Sequence, residues 1–165
     1  MSTIDFDIEK FHIPRWNELP AIDLYKDQVL IYIENSLKDY IKIESNEKLL
    51  TKTMINNYVK QGILTPPQNK KYNTLHIAEL FVICILKQVY SISEIKSLIE
   101  LALNTNSAEI SYNKFCDYLS TSLISTFNGT EYSIATELTP EQYLLKNVVQ
   151  SFANKLYVQI TYLNK

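Results

Sequence analysis

Glycine occurs twice and proline five times in 165 residues, so the chain has few built-in breakers and helices are favoured over a turn-rich sheet. Cys84 and Cys116 are the two cysteines, and neither has a second cysteine or a histidine at ligand spacing. That excludes a zinc motif and a disulfide framework and leaves two buried thiols as the expectation. His12 and His76 are the two histidines, no glycine-rich phosphate loop is present, and no serine or cysteine has a base and an orienter in a recognisable motif. Catalysis, a bound cofactor and a metal site are therefore not expected. No apolar run is long enough to cross a bilayer, and residues 1–10 carry Asp5, Asp7 and Glu9 where a leader would be basic and apolar, so a cytoplasmic location is expected. Asn128-Gly129-Thr130 matches a glycosylation sequon, which without a secretory signal marks only a turn.

What is present is apolar and aromatic surface. Hydrophobic residues make up 46% of the chain, with twelve Tyr, six Phe and one Trp, enough for one good core and a small second unit. Charge is distributed unevenly. Residues 1–47 hold ten acids and five bases, residues 48–78 hold five lysines and no acid, and residues 79–165 hold eight acids and six bases. An acid-free stretch inside a chain of formal charge −2 is where an anionic partner would be sought. Asp23 and Asp27 lie one turn apart as metal ligands can, but no Glu-x-x-His pair accompanies them, and a solvated acidic face is the expectation.

Apolar periodicity predicts a long first helix over 21–43, through Ile22, Val29, Ile33, Leu37 and Ile41, preceded by an irregular arm carrying Phe11, Ile13, Trp16 and Leu19. A short helix over 51–61 follows, with Thr51 as N-cap and Gly62 as left-handed C-cap. Met54, Ile55, Tyr58 and Val59 form its apolar face; Lys52, Thr53, Asn56, Asn57 and Lys60 form the other. Consecutive prolines, Pro66 and Pro67, exclude helix in 65–72 and leave a tight basic loop or short hairpin. Thr74 is expected to cap a core helix through Ile77, Leu80, Phe81, Cys84 and Val89, and Ser91-Ile92-Ser93-Glu94 is a capping box opening the next helix, to about Leu103. Two more helices are expected over 108–127 and 140–164, the second marked by Thr139-Pro140-Glu141-Gln142 and striped by Leu145, Val149, Phe152, Leu156, Ile160 and Leu163. Three units follow: an arm and long helix at 1–47, a central helical module at 48–103, and a helical pair at 104–165.

The sequence of a polar-faced helix, a glycine turn, a Pro-rich basic loop ending in tyrosine, an apolar helix and a helix opened by Ser-Ile-Ser-Glu-Ile resembles the MerR-type winged helix-turn-helix. Ile55-Asn56-Asn57-Tyr58 with Gly62-Ile63-Leu64 and Pro66 is similar to its recognition helix and exit, and Lys70-Lys71-Tyr72 sits where its wing would be. Where that superfamily usually carries Arg-Tyr-Tyr-Glu, this chain has Asn56-Asn57-Tyr58-Val59. A longer likeness, over about 14–103, includes Asp23-Leu24-Tyr25-Lys26-Asp27-Gln28-Val29, the run from Leu50 to Lys60, and Ile83-Cys84-Ile85-Leu86-Lys87-Gln88-Val89. It resembles the bacterial family catalogued as domain of unknown function 1836, which implies no settled activity.

The expectation is an all-α protein: a MerR-like winged helix-turn-helix with a long N-terminal helix and a C-terminal helical pair. Its expected role is that of a sequence-specific regulator binding double-stranded DNA as a homodimer through the C-terminal helices. Asn56 or Asn57 would pair with an adenine edge and Thr53 would meet a thymine methyl, while Lys52, Lys60, Lys70 and Lys71 would meet phosphates. Tyr72 would pack the wing or bond to phosphate. Four such lysines per protomer give a dimer a log–log salt slope of roughly −7, at about 0.9 per phosphate. The rival is a protein-interaction adaptor on the same fold, using the Asn-bearing helix or the acidic first helix. A third reading is an apolar effector pocket among Tyr112, Phe115, Tyr118, Phe127, Tyr143, Phe152 and Tyr157, for which a packed core is the default.

Overall fold

The computed structural model describes residues 6–41, 46–130 and 137–163. Among them are a two-stranded sheet and six α-helices: β1 Leu24–Tyr25, α1 Lys26–Leu37, α2 Lys52–Lys60, β2 Lys71–Tyr72, α3 Thr74–Leu86, α4 Ile92–Thr105, α5 Ala108–Asn128 and α6 Pro140–Val158. A π-helical turn, Gln159–Leu163, extends α6. The protein is mostly helical, as the scarcity of breakers implies. No described helix is long and apolar enough to cross a membrane.

The first helix is shorter than its periodicity suggests. Leu24 and Tyr25 pair antiparallel with Tyr72 and Lys71, so α1 starts only at Lys26, with the Tyr25 N–H donated to Gln28 Oε1 at 2.9 Å. Ile22 falls outside the helix and is 74% exposed, whereas Val29, Ile33, Leu37 and Ile41, at steps of four, are all buried. Residues 42 and 43 of the expected helix lie outside the described residues.

Helix ends follow the cap chemistry of the sequence. Thr51 Oγ1 accepts the Met54 N–H at 3.1 Å. At the other end of α2, Ile63 N–H bonds Tyr58 O at 3.0 Å and Gly62 N–H bonds Val59 O at 3.1 Å, a Schellman motif that needs the φ of +73° found at Gly62. The α4 and α6 boxes form as the spacing predicts, with Glu94 Oε1 taking the Ser91 N–H and Gln142 Oε1 taking the Thr139 N–H, each at 2.9 Å. The α3 cap differs. Asn73, not Thr74, caps it: Asn73 Oδ1 accepts the His76 N–H at 3.2 Å and His76 Nδ1 accepts the Asn73 N–H at 2.9 Å. Thr74 instead donates its hydroxyl to Pro20 O, tying the arm to the body. Val89, expected on α3, is 37% exposed because the helix stops at Leu86.

α3 is the centre of the molecule, buried along Ile77, Leu80, Phe81, Ile83, Cys84 and Ile85 and packed against α1, α4, α5 and α6. Each such side chain contributes about 1.5–3 kcal/mol from removal of apolar surface from water. One buried cluster runs through residues of all three expected units. The arm is fastened to α5 by Tyr112 OH donating to Pro14 O at 2.7 Å, by the Trp16 N–H donating to Asn113 Oδ1 at 3.0 Å, and by Arg15 against Asp117 at 2.9 Å. Cys84 and Cys116 are buried free thiols, and burial pushes them up to about 12 and about 11, so neither is a thiolate near neutral pH.

Candidate nucleic-acid interface

α2 is amphipathic in the sense its sequence dictates. Ile55 and Tyr58 are buried, Met54 and Val59 half-buried, and Lys52, Thr53, Asn56, Asn57 and Lys60 are exposed together on the opposite side. What fixes the helix to the body is Lys87 at the end of α3. Its ammonium donates to Leu49 O in the segment before α2, and lies 3.4 Å from Tyr58 OH and 3.6 Å from Met54 Sδ. Burial holds Lys87 below its usual pKa and pushes Tyr58 up to about 12, so the phenol beside the lysine is neutral near pH 7. The role of Lys87 was not read from the sequence, although it ends a conspicuous apolar run.

The segment 65–72 is a hairpin. Gln68 and Lys71 exchange backbone hydrogen bonds at 3.2 and 2.9 Å around Asn69 and Lys70, whose φ values of 51° and 62° are the paired positive angles of a type I′ turn. Lys70 is exposed at its tip. Tyr72 is only 2% exposed and meets the His76 ring edge-on at 5.4 Å. Of the two roles expected for it, burial leaves packing and removes contact with phosphate. His76 helps to cap α3 and is buried, with Nδ1 accepting from Asn73 and Nε2 3.1 Å from Pro66 O. Accepting at Nδ1 places the proton on Nε2, which then donates to that carbonyl and ties the hairpin's base to α3.

The start of α1 joins the two basic elements. Lys26 Nζ donates to Asn56 Oδ1 at 2.7 Å, Asp27 forms a salt bridge with Lys52 at 2.7 Å, and Lys71 Nζ stands 5.1 Å from the centre of the Tyr25 ring. Three consecutive residues, Tyr25, Lys26 and Asp27, therefore touch both the polar face of α2 and the hairpin strand. Spacing along the chain carries no sign of this junction, because the residues it joins are 25 to 46 apart. Asp27, expected in a solvated acidic face, neutralises one of the lysines proposed for phosphate. Among the described residues the side chains of Thr53, Asn57, Lys60 and Lys70 have no polar partner and are exposed. Lys96 of α4 approaches the α2 C-terminus, its Nζ 3.3 Å from where a Cβ on Gly62 would stand.

Fold and face together define a mostly helical protein that presents an acid-free, hydrogen-bonding helix beside a lysine-tipped hairpin. The chain belongs to the family described as domain of unknown function (DUF1836), whose model matches residues 14–119, more than half of its length. The match runs beyond the 103 boundary expected for the central unit and into α5. No curated protein and no solved structure matches the chain.

Proposed function

We propose that this chain is a sequence-specific DNA-binding regulator of the cytoplasm, a MerR-like winged helix-turn-helix protein that sets α2 in the major groove. The observation that carries the reading is the exposed face of Thr53, Asn57 and Lys60, which holds donors, acceptors and a cation with no carboxylate on the helix itself. Asn57 is the side chain best placed for bidentate pairing with adenine N6 and N7, since Asn56 already accepts from Lys26. α1 precedes α2 and packs on it, as the first helix of a helix-turn-helix does, and the hairpin supplies a wing.

The cation inventory is smaller than the sequence implies. Lys52 is held by Asp27 and Lys71 lies over Tyr25, leaving Lys60 and Lys70 as unpaired cations of the face and wing. A dimer then has a log–log salt slope of roughly −4, at about 0.9 per phosphate, in place of roughly −7. Dimerisation also needs a different surface. Val149, Phe152 and Leu156 of the α6 stripe are buried, with α6 packed on α5, so Tyr143, Leu144, Tyr157 and Val158 are the apolar groups it offers a second copy. A monomer by sedimentation at micromolar concentration would contradict the dimer.

Selection from a random duplex library tests the DNA reading. The wild type should enrich a motif, and the Lys60→Glu/Lys70→Glu variant should lose it while keeping its fold by circular dichroism. Absence of enrichment would leave the adaptor reading, for which the exposed Ile22 ahead of α1 and Ile31 on it are the specific support.

A further inference from the structure

The four helices α3, α4, α5 and α6 line a partly open cavity of about 380 Å³. Its wall is apolar, with Val82, Leu98, Ala102, Phe115, Leu145 and Val148, and Trp16 of the arm also lines it. The size is that of small-molecule sites, which are mainly apolar with a few polar groups that fix orientation. Among those polar groups are Glu79 and Glu141 against Lys114, a net negative set.

Glu79 is the informative one. It lies mid-helix on the α3 wall, half-buried, and among the described residues it forms no ion pair. Its Oε2 accepts the Thr65 N–H at 2.9 Å and its Oε1 accepts the Thr65 hydroxyl at 2.7 Å. A carboxylate has about four acceptor sites, so Thr65 occupies half of them and the others remain for a ligand. Burial pushes this carboxyl above its usual range, against the Thr65 hydrogen bonds, and a cation at the wall would offset that cost.

We propose that this cavity is a binding site for an apolar organic cation, whose hydrocarbon fills the space between the four helices and whose positive charge is held by Glu79. The proposal does not rest on the DNA reading, although Glu79 is hydrogen-bonded to Thr65 at the base of the hairpin.

Tetraphenylphosphonium and tetraphenylborate, alike in shape and opposite in charge, test it on the full chain in sodium buffer. Trp16, the single tryptophan, reports occupancy by its fluorescence, with calorimetry giving stoichiometry. The expected result is saturable one-to-one binding of the phosphonium, at least about tenfold tighter than the borate. Glu79→Gln should remove most of that preference, and Ala102→Phe, at an exposed helix position, should abolish binding of both ions, with Ala102→Leu as a milder second filler. No saturable binding, equal or tighter binding of the borate, a preference unchanged by Glu79→Gln, or binding unchanged by both fillers in folded protein would each overturn the proposal.

Discussion

Replacing Asp27 by Asn removes the carboxylate that pairs with Lys52 on the α2 face, and the structure fixes what should follow. The pair it forms with Lys52 spans 2.7 Å, but both side chains are mostly exposed, at 72% and 59%, so its loss should cost the fold less than about 1 kcal/mol. Its effect on DNA should be opposite in sign. A phosphate meeting Lys52 would stand roughly 5 Å from the Asp27 carboxylate, where like charges in water repel by about 0.8 kcal/mol. Relief of that repulsion raises affinity by about fourfold at low salt, and a freed Lys52 steepens the log–log salt slope by about 0.9 per protomer. Fluorescence anisotropy of a labelled duplex across a salt series, with wild type and Asp27→Asn in parallel, measures both quantities. Equal affinities and equal slopes would refute the reasoning that Asp27 is what keeps Lys52 from the DNA.

Three further outcomes follow from backbone and burial. Gly62→Ala should destabilise the protein by about 1–2 kcal/mol in urea unfolding, because φ is +73° there, while the Lys96 ammonium beside it can swing aside. Lys70→Gly should stabilise the type I′ turn by up to about 1 kcal/mol and at the same time flatten the DNA salt slope by about 0.9 per protomer, so stability and affinity move apart in one variant. The contribution of the buried thiols and phenol to stability should be full below pH 9 and fall between pH 9 and 12. The buried Cys84 and Tyr58 ionise only at about 12 and Cys116 at about 11, while their ordinary values are 9.0 and 10.0, so the unfolded chain loses these protons first. Each group contributes a loss of about 1.4 kcal/mol per pH unit while only the unfolded form is ionised. Lys87, depressed by burial, acts in the opposite direction, and Tyr58→Phe should make the alkaline fall measurably shallower.

Much of the helical frame was legible because caps and apolar periodicity are local signals. Thr51, Gly62, Ser91 with Glu94, and Thr139 with Pro140 each marked an end that the structure places there. The misses are tertiary. Nothing local distinguishes Leu24-Tyr25 from the first turn of a helix; only pairing with Lys71-Tyr72, nearly fifty residues away, draws it into a strand. Likewise the polar face of α2 was visible from its 3.6-residue period, but its partners were not. Lys26 on Asn56 and Asp27 on Lys52 come from another helix, and Tyr72 ends a basic run yet is packed inward by the alternation of its short strand.

The central claim is that Asn57 reads an adenine, and a two-by-two cycle tests it directly. On the duplex selected by the wild type, adenines are replaced one at a time by 7-deazaadenine, which lacks the N7 acceptor, and binding is measured for wild type and Asn57→Ala. The account predicts one adenine whose replacement costs the wild type about 1–3 kcal/mol and costs Asn57→Ala nothing further. An equal loss in both proteins at every adenine would contradict it.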